Sequence, residues 1–129
     1  MKLPAILMIV ENFFPQDTRV FKEANSLKKD YRITVIALKK KSEKFYEMRD
    51  NIQILRIPEI PKFRFEQNNI LSRFFNKTFY ILHYLFFTIS SAILFLCTHI
   101  INKYCVIHAH NPPDTLFLIG FVAKFFSVK

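Results

Sequence analysis

The sequence predicts an α/β protein: a parallel sheet with connecting helices, one of them long and hydrophobic. Three observations carry that prediction. Short apolar, β-branched runs alternate with helical patterns in the order β-α-β-β-α-β-α. The chain has 129 residues, enough to bury one real core without disulfides or a metal, and too few for two domains. Its composition, 51% hydrophobic and 16% aromatic with Phe dominant, excludes disordered, collagen-like and disulfide-scaffold classes.

The first strand is Leu3-Pro-Ala-Ile-Leu-Met-Ile-Val10, a continuous apolar run of the kind a buried parallel strand needs. It is too short, and lacks the small-residue cleavage site, to be a secretory leader. The loop Glu11-Asn-Phe-Phe-Pro-Gln-Asp17 follows, with Asp17 or Thr18 as the N-cap of a helix over 18–29. Val20, Phe21, Ala24 and Leu27 form the apolar stripe of that helix, and Lys22, Glu23 and Lys28 face water. Ile33-Thr-Val-Ile-Ala-Leu38 is a second strand, ended by Lys39-Lys40-Lys41. Residues 42–50 are charged and read as a loop or a weak helix. Ile52-Gln-Ile-Leu-Arg-Ile57 is a third strand, closed by Pro58 and Pro61. This β-α-β-β start is typical of a Rossmann-like half.

Residues 68–103 are expected to be a long apolar helical segment that associates with a membrane. Within it, the 25 residues between Lys77 and Lys103 carry no formal charge. As a helix they extend roughly 35 Å, long enough to cross a bilayer. Tyr80, Tyr84, Thr88, Ser91, Thr98 and Asn102 recur at helical spacing as a weakly polar seam. Three readings compete: a transmembrane span, a helix docked on the sheet with its outer face in the membrane interface, and an ordinary core helix. Cys105-Val-Ile-His-Ala-His110 reads as a fourth strand that needs the same sheet as the first three, which argues for the docked crossover helix over the span. Asn111-Pro-Pro-Asp-Thr115 is a turn, followed by an apolar helix over Leu116–Phe126. A doubly wound sheet would continue with another strand, so residues 1–129 read as a single amino-terminal domain cut short.

The formal charge is +9, from 19 basic and 10 acidic residues. Fourteen of the basic groups and nine of the acids lie in residues 1–67, so positive charge flanks the apolar block. That distribution suits an anionic membrane surface or phosphate-bearing ligands. Nucleic acid is not expected as a partner, because no basic helix with interleaved aromatics occurs. Gly120 is the only glycine, which disfavours a Gly-rich phosphate loop. Cys97 and Cys105 read as buried thiols of a reducing compartment.

In open α/β sheets, ligands bind beyond the carboxyl ends of the strands where strand order reverses. Strands one and four are expected to flank that point, which brings Glu11–Arg19 and His108–Asp114 together. The alternation in His108-Ala-His110 is read as sending the two imidazoles to opposite faces or leaving one at the strand end. His110 is then the ring that faces the cleft, where a neutral imidazole accepts a proton or bonds a hydroxyl. His108 is read as a core histidine. Asp114 either caps the last helix or binds hydroxyls. Arg19, a cation in the first helical turn, opposes the helix dipole and is suited to gripping phosphate or carboxylate. His83 and His99 have no charged partner nearby in sequence and are read as structural.

Phe14-Pro-Gln-Asp-Thr-Arg-Val20 with Lys22-Glu-Ala-Asn-Ser-Leu27 and Ile33-Thr-Val-Ile36, and then Val106-Ile-His-Ala-His-Asn-Pro-Pro-Asp-Thr-Leu116, resemble the amino-terminal domain of family-four glycosyltransferases, in matching order and separation. The resemblance implies half of a GT-B fold, in which two Rossmann-like domains face a cleft and the first binds the acceptor. It implies transfer of a sugar from a nucleotide-sugar to a lipid-linked or polysaccharide acceptor, with no cofactor and no metal. By resemblance His110 contacts the reacting sugar, and Gln16, Asp17, Thr18, Arg19, Asn111 and Asp114 line the substrate site. The chain lacks the glycine pair common in that loop, carries Asp30-Tyr31 where Gly-His is common, and lacks the donor-binding domain, so alone it is expected to transfer nothing. With its basic loops (Lys39–Lys41, Lys62, Arg64) it is expected at the cytoplasmic face of the cell membrane, peripheral or monotopic. Two other classes compete. A metal-dependent hydrolase would need ligands beyond the His-x-His pair and Asp114. A non-enzymatic membrane-associated interaction module would need only the long helix.

Overall fold

The computed structural model describes residues 3–61, 69–110 and 114–129. Its elements are β1 (Ala5–Phe13), α1 (Thr18–Leu27), β2 (Arg32–Lys39), β3 (Tyr46–Arg49), β4 (Ile52–Pro58), α2 (Ile70–Asn102), β5 (Tyr104–His110) and α3 (Phe117–Lys124). A single 3-10 turn, Asp114–Leu116, precedes α3. The five strands form one sheet in the order β3-β4-β2-β1-β5. β4, β2, β1 and β5 are parallel, and β3 pairs antiparallel with β4. The result is a mixed α/β architecture with a mostly parallel sheet and one long apolar helix. β1 and β5 are neighbours, as the crossover argument required.

Residues 42–50 depart from expectation. Tyr46–Arg49 is a strand, not a loop or a helix. It closes a two-residue hairpin in which Arg49 pairs with Ile52 and both Asp50 and Asn51 have positive φ, 50° and 64°. Asp and Asn tolerate that backbone, and two left-handed residues in succession give the turn that matches strand twist.

The sheet has two covered faces, set by the alternation of side chains along the strands. Met8, Val10, Val35, Ala37 and Ile54 pack with Val20 and Ala24 of α1. On the other face Leu7, Ile9, Ile36 and Leu38 pack with Phe87 and Phe95 of α2 and Ile119 and Ala123 of α3. α1 begins at Asp17, whose carboxylate accepts from the Arg19 and Val20 N–H groups.

α2 is turned opposite to an ordinary surface helix. Thr88 and Ser91 of its polar seam are buried against the sheet with His83, Phe87 and Phe95, while Tyr80 of the seam and Ile81, Leu82, Leu85, Ile89, Ile93 and Ile100 face outward. Some of the inward polar groups find partners: the Thr88 and Thr115 hydroxyls lie 2.7 Å apart, and the Tyr104 hydroxyl donates to Thr98 Oγ1 at 3.0 Å, whereas the buried Ser91 hydroxyl has none. Cys97 lies on the outward side and is exposed, which corrects the expectation of a buried thiol: an apolar run buries its cysteine only where the run itself is covered. Cys105 is half-buried in β5.

The helix is also longer than the sheet is tall. Thirty-three residues extend about 50 Å at 1.5 Å each, and the nine residues of β1 about 30 Å. Its carboxyl end is fixed at the amino edge of the sheet, where Arg32 Nη2 donates to the Asn102 carbonyl at 2.8 Å. At the carboxyl edge His83 Nε2 meets Glu11 Oε1 at 2.8 Å, with both side chains buried. Residues 70–82 therefore run on past the carboxyl edge, with Ile70, Leu71 and Phe74 exposed. His83 has a charged partner after all; Glu11 is distant in sequence and only the crossover brings it near.

Candidate functional site

The carboxyl edge between β1 and β5 gathers the polar residues. Asp17 is buried at the turn into α1, accepting from Asn12 Nδ2 at 3.1 Å and from Arg19 Nη2 at 3.1 Å. Burial pushes its carboxyl upward, but the hydrogen bonds from Arg19, Asn12 and the Val20 N–H outweigh that and hold it below the usual carboxylate range. The Arg19 side chain is 74% exposed, so its guanidinium is anchored on one edge and open on the other. Thr18 opens α1 and is exposed. Gln16, also exposed, donates to Glu43 at 3.4 Å, which turns it toward the β3–β4 hairpin and away from β5.

The two histidines of β5 lie on one face, not opposite faces. Residues two apart on a strand point the same way, so His108 and His110 both project to the α1 side. Their rings stack with centroids 4.2 Å apart and planes 23° from parallel. Both meet Glu23 of α1. Glu23 Oε1 is 2.6 Å from His108 Nδ1, and Glu23 Oε2 is 3.8 Å from His110 Nε2. His108 is exposed, which removes it from the core where the sequence placed it. His110 is half-buried, and its Nε2 is buried with no hydrogen-bond partner. Burial, and then the His108 ring beside it, lower its basicity against the opposing pull of Glu23 and Asp17. Its imidazole is thus kept neutral, with a ring nitrogen free to accept or donate.

Asp17, Arg19, Glu23, His108 and His110 therefore form one electrostatically connected group, with Asp17 and Arg19 both felt at His110. Thr18 sits next to it in the chain, whereas Gln16 is turned away toward the hairpin and is not brought into the group. Asn111 lies outside the described residues. Asp114 is exposed at the head of the 3-10 turn and does not cap the last helix, whose N-cap is Leu116 with no side-chain cap bond. Glu23 is the residue the sequence reading missed, having been assigned to the water-facing side of α1. The signal that finds it is the pairing of β1 with β5, which lays β5 beside the α1 layer.

A second polar cluster stands at the hairpin side of the same edge. Arg56 of β4 is buried, pairing with Glu47 at 2.8 Å and Glu43 at 3.3 Å. It also donates to the Phe14 carbonyl at 3.2 Å and to the Lys44 carbonyl at 3.1 Å. Its two terminal nitrogens are hydrogen-bonded, Nε meets Glu43 only as an ion pair, and the side chain braces the β1–α1 loop against the hairpin.

No protein-family model matches the chain, and no curated protein or solved structure matches it. The geometry of the carboxyl edge thus stands on its own.

Proposed function

We propose that this chain is the acceptor-side, Rossmann-like half of a GT-B glycosyltransferase, working at the cytoplasmic membrane face. Its reaction would move a sugar from a nucleotide-sugar to a lipid-linked or polysaccharide acceptor. One observation carries the reading: the loop after β1 and the end of β5, the two stretches on which the family resemblance rests, meet at the point where strand order reverses. There His110 offers a half-buried neutral imidazole to a sugar hydroxyl, and Arg19 offers an open guanidinium edge to phosphate or carboxylate. Asp17 serves by holding Arg19 and the helix start, since its oxygens are already engaged. By the resemblance Thr18, Asn111 and Asp114 would border the substrate, with Gln16 turned away toward the hairpin, and a second α/β domain facing this edge would hold the donor. The apolar overhang of α2 extends from the same edge, which would set the membrane beside the cleft mouth.

The test is chromosomal replacement of His110 by Ala in the cell that makes the protein, followed by mass spectrometry of lipid-linked and envelope glycans. The expected result is loss or shortening of one glycan species by a sugar, with the protein at its normal level in the membrane fraction. An unchanged glycan profile overturns the assignment. The second reading, a non-enzymatic membrane-associated module, draws on the outward apolar face of α2. It predicts that His110→Ala changes nothing, while polar substitutions on α2 abolish the cellular phenotype.

A further inference from the structure

We propose that Glu23, His108 and His110 form a binding site for a divalent transition-metal ion of the Zn2+ class, with one coordination position open to solvent. This goes beyond the glycosyl-transfer reading, which calls for no metal; it does not rest on that reading, and an ion held here would occupy the His110 nitrogen that a sugar hydroxyl would otherwise meet.

The three residues supply one carboxylate oxygen and two imidazole nitrogens, all within 4.8 Å of one another. They come from two elements, α1 and β5, whose separation is fixed by the core beneath them: Val20 and Ala24 of α1 are fully buried against the strands. Zinc binds such donors at about 2.1 Å in tetrahedral geometry, which places neighbouring donor atoms about 3.4 Å apart. The His110 Nε2 to Glu23 Oε2 separation, 3.8 Å, already has that width. It is too long for a direct hydrogen bond. The His108 Nδ1 contact at 2.6 Å is to the other carboxylate oxygen, Oε1, so it must break and Nδ1 must turn to share the ion with Oε2. Both groups sit at the ends of partly exposed side chains, and the same turn takes His108 out of its stack with His110, since the in-plane lone pairs of rings 23° from parallel do not converge on one ion.

The independent sign of a missing partner is His110 Nε2, a buried nitrogen that bonds to nothing. Buried polar atoms are ordinarily satisfied. This one faces a carboxylate across a gap of bridging width. Two stacked imidazoles beside a single carboxylate are also a soft enough donor set to select the metal class. Mg2+ and Ca2+ prefer all-oxygen shells with several carboxylates, whereas imidazole suits zinc, copper, nickel and cobalt. Two His and one Glu leave the fourth tetrahedral position for water, on the side where His108 is exposed. The sequence reading dismissed a metal because Asp114 was the only nearby carboxylate. Glu23 removes that objection.

The experiment is titration of the metal-stripped full chain in detergent with Co2+, followed by visible absorption, and with Zn2+ against a chromophoric chelator. One ion per chain is expected, with cobalt bands of a low-coordinate nitrogen–oxygen site. Glu23→Gln, His108→Ala and His110→Ala should each weaken binding at least about tenfold. Replacing Cys97 and Cys105 with Ser should leave it unchanged, since no thiolate takes part. Parent-like binding by Glu23→Gln or His110→Ala marks an adventitious ion and overturns the site, as does failure of the parent to bind. Should an alanine variant not fold, imidazole 15N resonances of the unmutated chain decide the matter. Zn2+ must shift His108 and His110 and leave His83 and His99 in place; any other pattern overturns the proposal.

Discussion

Asp17 shows how much one side chain can set. Its carboxylate caps α1, anchors Arg19 and closes the loop through Asn12. Because its folded carboxyl lies below the unfolded one, its contribution is complete above the unfolded value and is lost as pH falls through the folded value. The chain should therefore lose stability on acidification below about pH 4. Asp17→Asn, which keeps a capping oxygen but cannot titrate, should flatten that part of the profile in urea unfolding followed from pH 7 to pH 3. Asp17→Ala should cost about 1 kcal/mol at neutral pH through the lost cap. Identical acid slopes in Asp17→Asn and the parent would refute the account. Asp17 was legible because capping is a local affair, decided within three residues. The His108–His110 arrangement followed from strand period alone and was misread. Glu23 became visible only once the order of strands was known.

The elements divide along the same line. Strands built from unbroken apolar runs, such as Ala5–Val10 and Ile33–Leu38, announce themselves, since burial on both faces leaves them no other composition. β3 does not, because Tyr46–Arg49 is an edge strand with little buried surface. Its signal was the Asp50-Asn51 turn. What secures this hairpin is Arg56, whose side chain is 1% exposed and touches Glu43, Glu47 and two carbonyls. Removing one partner from a buried ion pair costs more than the pair itself contributes, because the others are left uncompensated. Arg56→Met should thus destabilise the fold by about 3 kcal/mol, the low end of that effect, since Glu47 is partly solvated. Chemical denaturation measures it, and a change below about 1 kcal/mol would show that the network is a surface ornament.

At the scale of the whole molecule, the question is what covers the outward apolar faces. Ile81, Ile89, Ile93 and Ile100 of α2, Phe117 and Phe121 of α3 and Phe125 just after it are all exposed on the layer opposite α1. A surface of that extent is costly in water, and Thr88 and Ser91, the middle of the polar seam of α2, are turned inward, where they would be wasted if the outside were wet. The membrane interface proposed above would account for both, and the charge of +9 would add attraction to anionic lipid. α2 cannot cross that bilayer while β4 before it and β5 after it stay in one sheet. Cys97, exposed on the outward side, is a built-in probe. With Cys105 replaced by Ser and the chain bound to the outside of anionic vesicles, Cys97 should be shielded from a membrane-impermeant maleimide. Single cysteines placed at Ser42 and Ser127, on either side of α2, should both react fully. Protection of one of those two would mean a true span, and a fully reactive Cys97 would mean that the apolar face is covered by something other than lipid. Phe74→Glu with Ile81→Glu should release the chain from vesicles in flotation while its circular dichroism stays native. Both positions lie on the overhang, before the first buried residue of α2, so the sheet does not depend on them.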